Sequence, residues 1–380
     1  MENVKANIIN KLTIQFNEHF YEKNEVYLTI AIKFGFCTNK MLILPQKETR
    51  TFNKASGNVL IKYIQLEMKE KYNISVKGNV KTGMIYLSIK TKVKNMDYEG
   101  MCLLKMLYKD KIDENMFSIA KGVAKKRFFN NYKDVKFRAY YRMMEFVNIN
   151  KGFVLGNLTK DFLDISLKDF RDFYEEVVVP QNSILFVNGD LSELDKSKIL
   201  KFIEGIETNE RYIFSAIELV NEYLQTNMHL IESAEEAIEI GAINFKFFNE
   251  NIKMLEKQLL LEILSEIIFK DKGKVLVDEF DNSLLYFNCK LDKYSLKLLD
   301  YLNEETIQQA KTNALYKLSY ILNNMPYVFN KYCIDLYSKG IDIAEYFEVL
   351  SKCDYKLITD IYVKGNLKIT DGQLVYTKPL

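Results

Sequence analysis

Apolar residues at Leu12, Ile14 and Phe16, and again at Val26, Leu28, Ile30, Ile32 and Phe34, alternate with polar ones. This is the period of two that half-buried strands require, and it predicts two neighbouring antiparallel strands at the start of the chain. From Asn58 to Tyr72 the apolar set Val59, Ile61, Tyr63, Ile64, Leu66 and Met68 spreads instead over a broad helical face, with Asn73 and Gly78 marking the exit. Met84-Ile-Tyr-Leu-Ser-Ile-Lys reads as a third strand. Helical patterns follow through 97–109, 113–130 and 136–147, then a helix near 166–178 and a strand, Ser183-Ile-Leu-Phe-Val-Asn-Gly-Asp.

The same grammar then returns as a long duplication. Gly83-Met-Ile-Tyr-Leu-Ser-Ile-Lys90 matches Ser283-Leu-Leu-Tyr-Phe-Asn-Cys-Lys290 at an offset of 200, and Val187-Asn-Gly-Asp-Leu191 matches Val363-Lys-Gly-Asn-Leu367 at an offset of 176. Each closing strand follows a helix, the first with Phe170 and Phe173-Tyr174, the second with Tyr346-Phe347 and Leu350. The second half opens with a strand over 237–248 and a helix over 252–269, and Glu232-Ser-Ala-Glu-Glu reads as the polar approach to that strand. The implied fold class is α+β: two related half-domains, each a mostly antiparallel sheet backed by helices. The division expected is 1–191, a linker region at 192–221 where the polar Glu204–Arg211 stretch interrupts the pattern, and 222–380.

Composition supports this and removes several functions. A chain of 380 residues exceeds an ordinary domain of about 100–200 residues, and 48% hydrophobic with 27% charged residues is a globular balance. Subtracting 51 acids from 53 bases leaves +2, and only six of those bases are Arg, so nucleic acid is disfavoured as a partner. The five cysteines, Cys37, Cys102, Cys289, Cys333 and Cys353, never form C-x-x-C and read as reduced, mostly buried thiols. No run approaches ~18 apolar residues and the N-terminus lacks a signal-peptide pattern, so no membrane span and a cytoplasmic location are expected. No Gly-rich phosphate loop occurs. Histidine is the most restrictive count, because His19 and His229 are the two in the chain and lie far apart.

The segment from Phe153-Val-Leu-Gly-Asn-Leu-Thr through Ile165-Ser-Leu-Lys-Asp-Phe-Arg-Asp-Phe-Tyr to Val179-Pro-Gln-Asn-Ser-Ile-Leu-Phe-Val-Asn-Gly-Asp-Leu191 resembles the insulinase and mitochondrial-processing-peptidase superfamily. Helix, Pro-x-Asn turn and Gly-Asp strand end occur together at the family's spacing. Lys274-Val-Leu-Val-Asp-Glu-Phe-Asp-Asn-Ser-Leu-Leu-Tyr286 is similar to a second family element. The resemblance implies a clamshell of two α+β halves, with zinc held by a helical H-x-x-E-H and a later glutamate. Two His one turn apart face one metal there, while the Glu between them serves as base for the attacking water.

This chain departs from the family at that point. Between the strand ending near Phe36 and the helix beginning near Asn58 stands Cys37-Thr-Asn-Lys-Met-Leu-Ile-Leu-Pro-Gln-Lys-Glu-Thr-Arg, and there is no His from Phe20 to Met228. Where the downstream acid belongs, Phe117-Ser-Ile-Ala-Lys-Gly-Val-Ala-Lys-Lys-Arg carries lysine. Neither a catalytic residue, a metal ligand nor a cofactor is therefore assigned to this chain. The Lys121–Arg127 basic run reads as a solvated helix face. His19-Phe-Tyr-Glu22-Lys23 has H-x-x-E but lacks the second His and precedes the strand at 25–34, so it reads as a surface connection. His229 has no assignable catalytic partner.

Leu44-Pro45 and the run from Leu66-Glu-Met-Lys-Glu to Gly78 resemble the zinc-less bacterial subunits of this family, of the AlbE and YmfF types. What that resemblance implies is a non-catalytic subunit paired with a zinc-containing homologue, the zinc being in the partner. Together they would enclose a peptide such as a bacteriocin leader or another small precursor. Tyr286 matches a family tyrosine that binds peptide backbone, and Asn282 stands where relatives carry arginine. Tyr286 equally reads as a packed strand tyrosine, as does its counterpart Tyr86. Two other readings are a homodimeric peptide-binding or scaffolding protein without a role in proteolysis, and a peptidase with displaced ligands.

Overall fold

The computed structural model describes residues 7–9, 12–18, 24–36, 38–44, 46–81, 83–108, 111–147, 155–206, 212–215, 228–233, 238–247, 251–269, 273–277, 282–287 and 302–377. The chain forms two compact units. Unit 1 comprises Met1–Asn130, Val154–Glu218 and Asn323–Ile334, and unit 2 comprises Asn131–Phe153, Leu219–Leu322 and Asp335–Leu380. Each unit therefore takes one short segment from the sequence of the other half. The segment expected as a linker, 192–221, itself contains a helix, Lys196–Glu204, and a strand, Tyr212–Ser215.

Unit 1 is built on β1 (Asn7–Ile9), β2 (Leu12–Glu18), β3 (Glu25–Lys33), β6 (Lys77–Val80), β7 (Met84–Lys92) and β8 (Ser183–Gly189), in the order β1-β2-β8-β3-β7-β6. A small second sheet joins β4 (Lys40–Leu44), β5 (Glu48–Thr51) and β9 (Tyr212–Ser215) in the order β5-β4-β9. The expected neighbours at the start of the chain, β2 and β3, are separated by β8, which runs parallel to β2 and antiparallel to β3. The reason is burial. Every residue of β8 is buried, so this strand fits only a central position covered on both faces.

Helices α1 (Ser56–Tyr72), α2 (Val93–Leu107), α3 (Glu114–Tyr132), α5 (Leu155–Asp164), α6 (Leu167–Val177) and α7 (Lys196–Glu204) belong almost wholly to unit 1. α1 presses closely on β6: a Cβ on Gly78 would lie 2.3 Å from Ile61 Cγ2. Ser166 caps α6 in a reciprocal capping box with Asp169. The opposite face of the sheet receives α10 (Pro326–Tyr337), which carries Asn330. Asn330 Nδ2 donates to Thr29 Oγ1 at 3.0 Å and to the Tyr27 carbonyl at 3.3 Å, while its Oδ1 accepts from Asn188 Nδ2 at 2.9 Å. Asn17 Nδ2 donates to Asn188 Oδ1 at 3.0 Å, and Thr29 pairs with Ser88 at 2.9 Å. All five side chains are buried, so the polar row is satisfied internally.

Unit 2 repeats the sheet with β10 (Met228–Ser233), β14 (Leu367–Thr377), β11 (Ile238–Phe247), β13 (Asn282–Phe287) and β12 (Gly273–Val277), in that order. Strand directions agree throughout, with β10 parallel to β14 and every other pair antiparallel. The register also agrees. In unit 1 a row runs from Tyr86 to Ala31, Ile184 and Thr13, and in unit 2 from Tyr286 to Gly241, Gln373 and His229. The offset of 200 thus pairs equivalent strands, β7 and β13.

The offset of 176 does not. Val363-Lys-Gly is the last turn of helix α12 (Tyr355–Gly365), and Asn366 is its left-handed cap at φ 45, with β14 beginning at Leu367. Gly189-Asp190 instead ends a strand. The two glycines differ in conformation as well: Gly189 has φ +138, whereas the left-handed position after Val363-Lys-Gly is taken by Asn366. Glu232 and Ser233, expected in a polar approach, are the last residues of β10. The remaining helices of unit 2 are α4 (Val135–Val147), which packs on β11 and β14, α8 (Met254–Phe269), α9 (Glu304–Asn324) and α11 (Ile343–Lys352). Among the described residues no helix is long and apolar enough to cross a membrane.

Replacing Asn330 by leucine removes the donor to Thr29 and the acceptor for Asn188 without creating a cavity. Leaving buried polar groups unpaired costs about 1–3 kcal/mol each, so Asn330→Leu is expected to destabilise by ~2–4 kcal/mol. Urea unfolding followed by tyrosine fluorescence checks this, and an unchanged midpoint would show the row to be dispensable.

Candidate functional site

The motif that carries the family resemblance is structural in this chain. Asn182 of the Pro-x-Asn turn is buried, and its Nδ2 donates to the carbonyls of Lys33 and Val177, both at 3.0 Å. It thereby ties the end of α6 to the end of β3. Gly189 has φ +138, and a Cβ there would lie 2.3 Å from the Glu25 carbonyl oxygen, so the position needs glycine for two reasons. Asp190 then accepts from the Asn24 amide at 3.0 Å and from Ser192 Oγ at 2.5 Å.

The stretch in which the resemblance puts the H-x-x-E-H helix instead forms the strands β4 and β5, and the stretch where the downstream acid belongs lies on α3. α1 presents Tyr63, Glu67 and Lys71 at successive turns; the first two are buried. Glu67 pairs with Lys71, and the Tyr63 hydroxyl accepts from the Asp113 amide at 3.0 Å. Burial pushes the Tyr63 phenol well above its ordinary range. On α3, Lys121 Nζ donates to the Ile165 carbonyl at 2.6 Å, so this member of the basic run seats the α5–α6 junction. Lys126 and Arg127 are exposed, as a solvated face requires.

The contact recurs in unit 2, where Lys311 Nζ on α9 donates to the Cys353 carbonyl at 3.1 Å, just before α12. The buried faces correspond as well: Phe117, Ala120, Ala124 and Phe128 on α3 against Ile307, Ala310, Ala314 and Leu318 on α9. This third offset, 190, was missed in the sequence reading. Its signal is an apolar residue, Ala-Lys, Ala and an apolar residue at fixed helical spacing.

Unit 2 holds a carboxyl group pushed far above its ordinary range. Gln258, Glu262 and Glu266 lie one turn apart on α8, with Gln258 and Glu266 buried. Gln258 Nε2 donates to Glu262 at 3.4 Å, and Lys317 Nζ of α9 donates to Glu266 at 2.6 Å. Loss of surrounding water, reinforced by the Glu266 charge, pushes the Glu262 carboxyl up to about 7. The two carboxyls share one half-buried lysine, and their like charges oppose one another.

Of the residues predicted for peptide contact, Asn282 and Tyr286 lie four positions apart on β13, opposite Phe245 and Gly241 of β11. The equivalent Tyr86 on β7 is fully buried in unit 1. His229 lies on β10 opposite Gln373, and His19 falls outside the described residues. Cys102, Cys333 and Cys353 are buried free thiols, while Cys37 and Cys289 fall outside the described residues. Among the described residues no three His, Cys, Asp or Glu side chains gather in a way that could hold a metal ion.

Glu262 generates a prediction with a definite sign. Its folded-state value lies above the usual 4.5, so the folded chain binds more protons than the unfolded chain between about pH 4.5 and 7. Its contribution is fully present below about pH 4.5 and is lost as pH rises through 7, by up to ~3 kcal/mol. Glu262→Gln is therefore expected to flatten this decline and raise stability at pH 8. Thermal unfolding of both proteins at pH 5 and pH 8 checks it, and an unchanged pH slope would assign the decline to other groups.

No protein-family model matches this sequence, and no curated protein matches it. Solved structures do. An M16-like peptidase from Alicyclobacillus acidocaldarius is similar with a TM-score of 0.77 at 11% identity, over 98% of both chains. A protease from Helicobacter pylori gives 0.71 at 14% identity, covering 99% of each chain. A peptidase M16 inactive domain from Pseudomonas fluorescens gives 0.66 at 9% identity, over 99% of this chain and 100% of that one. With the duplicated sheets and the structural Pro-x-Asn and Gly-Asp elements, these likenesses give the chain the fold of M16-like peptidases.

Proposed function

We propose that this chain is a non-catalytic, peptidase-like subunit that helps enclose and position a peptide for cleavage by a zinc-containing homologue. The observation that carries the reading is the state of β4, β5 and α3. Where the resemblance puts the H-x-x-E-H helix the chain forms the strands β4 and β5, and where it puts the downstream acid Lys121 donates to the Ile165 carbonyl. The likeness to M16-like peptidases nevertheless covers 98% of the chain.

Two further observations support the reading. The periplasmic protease PqqL of Escherichia coli is similar over 99% of this chain but only 48% of its own length, so one such unit pair corresponds to half of a longer protease. Within unit 1, β6 bonds to β7 on one side and is the terminal strand of the sheet. Such an edge can hold an extended peptide by main-chain hydrogen bonds while another subunit polarises the scissile carbonyl. Leader peptides of bacteriocins or other small precursors are the substrates this reading favours, with Tyr286 and Asn282 as candidate peptide contacts.

Mixing the chain with a zinc-bearing homologue is expected to yield peptide cleavage that neither component achieves efficiently alone, with substoichiometric zinc in this chain by itself. Tyr286→Phe should slow the mixture by less than loss of the partner's general base. One neutral hydrogen bond is worth about 0.5–1.5 kcal/mol, whereas general-base catalysis contributes about 10²–10⁴-fold. Co-purification, metal analysis and cleavage assays of each component and the mixture check it. One tightly held zinc with hydrolysis by this chain alone would overturn the reading. A homologue fully active alone that never associates with this chain would instead favour an independent binding protein.

A further inference from the structure

Beyond Glu114 the helix α3 carries no acidic residue, and its bases are Lys121, Lys125, Lys126 and Arg127. Lys121 is committed to the Ile165 carbonyl. Among the described residues, neither Lys125, Lys126 nor Arg127 forms an ion pair. Ile119 and Val123 stand at successive turns on the same side of the helix as Arg127, and they are 46% and 41% exposed. Phe117, Ala120, Ala124 and Phe128 take the buried face. The stripe from Ile119 to Arg127, about 12 Å long, thus lies beside the packed face and open to solvent.

Unit 2 shows what this stripe lacks. At the offset of 190, Ile119 and Val123 correspond to Gln309 and Asn313 on α9, which hydrogen-bond one another at 2.9 Å. Arg127 corresponds to Lys317, whose Nζ donates to Glu266 of α8 at 2.6 Å. In unit 2 the stripe is therefore polar, and its cation has an acid within the chain. In unit 1 the stripe is apolar, and the charge acting beside Arg127 is a second cation. Lys62 of α1 is half-buried, and its Nζ donates to the neutral Gln65 Oε1 at 2.7 Å. Loss of surrounding water, with the Arg127 charge added, holds the Lys62 ammonium below its ordinary range. Like charges held together repel, and a carboxylate brought to the pair relieves that repulsion.

We propose that this stripe of α3, with Lys62 beside it, docks an acidic amphipathic helix of a partner protein. Two apolar side chains of the partner would cover Ile119 and Val123, and carboxylates one turn further along would meet Lys126, Arg127 and Lys62. Such docking needs neither zinc nor cleavage, and so goes beyond the role proposed above. A helix suits the site because apolar and charged positions recur here at the spacing of helical turns, which a second helix lying alongside presents in the same order. Nucleic acid fits less well, since the stripe offers no exposed aromatic platform and a single planar fork. An anionic membrane calls for a broad apolar face with large side chains such as Phe or Leu, whereas two aliphatic residues are exposed here.

The test uses the full chain alone and a fluorescein-labelled 18-residue alanine-based helix. The probe carries two leucines four residues apart and glutamates on the following turn of the same face. Its Gln version, a 12-nucleotide oligothymidylate and phosphatidylserine vesicles serve as comparisons, the vesicles by co-sedimentation. Fluorescence anisotropy at low salt should show the Glu helix binding at least about fivefold more tightly than the Gln helix, with the difference collapsing near 0.5 M NaCl. Lys126→Glu with Arg127→Glu should weaken binding roughly tenfold, and Ile119→Ser with Val123→Ser by about the same factor. The charge-reversed protein should in turn prefer a Lys version of the helix, a gain that misfolding cannot produce. Lys94→Glu with Lys356→Glu, exposed on α2 and α12, changes the net charge equally and should leave binding unchanged. Equal affinity for the Glu and Gln helices, indifference to the Lys126/Arg127 reversal, or tighter binding of oligothymidylate or vesicles than of the Glu helix would overturn the proposal.

Discussion

The hydrogen bond between Asn188 and Asn330 is the contact on which unit 1 most depends. It joins a strand and a helix 142 residues apart in sequence, and through Thr29 and Asn17 it fixes α10 over three strands of the sheet. A purely apolar interface would let a short amphipathic helix slide by a turn, whereas a satisfied polar row penalises every displaced register with an unpaired buried group. Asn330 lies in the segment Asn323–Ile334, which reaches unit 1 from within the sequence of the other half. The placement of that segment rests on specific polar pairing as well as on apolar burial.

Duplication explains much of the remaining architecture. Both units arrange five strands in the same order and directions, and both use a helix lysine, Lys121 on α3 and Lys311 on α9, to hold the carbonyl just before the cap of a later helix. The departures between the units are therefore informative. Unit 1 inserts β4 and β5 between β3 and α1, whereas in unit 2 six residues separate the end of β11 at Phe247 from the start of α8 at Met254. Unit 2 places two glutamates and a lysine on the helix pair α8 and α9, whereas the equivalent pair in unit 1 carries Tyr63, Glu67 and Arg127. The same scaffold thus supports quite different charge arrangements, because its register is held by backbone pairing and apolar faces that these polar positions do not interrupt.

Much of the chemistry was legible in the residues themselves. The absence of histidine from Phe20 to Met228, the lysine in place of a downstream acid, and the Pro-x-Asn and Gly-Asp elements are all visible without coordinates. Their physical work was not. Asn182 and Asp190 bind backbone groups distant in sequence, and Lys121, readable as one more solvated base, holds a carbonyl 44 residues away. A long flexible side chain gives no local sign of its partner, since its ammonium can reach any of several backbone groups once helices pack.

By itself the sequence determined the periodic elements: the alternating strands β2, β3 and β7, the helix α1, and the equivalence of Tyr86 with Tyr286, because period and turn chemistry act within a few residues. It also determined that the known zinc ligand pattern is missing. Only the tertiary structure decided that β8 lies between β2 and β3, that Val363-Lys-Gly ends a helix, and that Arg127 acts on Lys62 whereas its counterpart Lys317 bonds Glu266. Those outcomes depend on competition among strands and helices far apart in the chain for the most buried positions. Local periodicity records which face of an element is apolar but carries no record of which distant element will cover it.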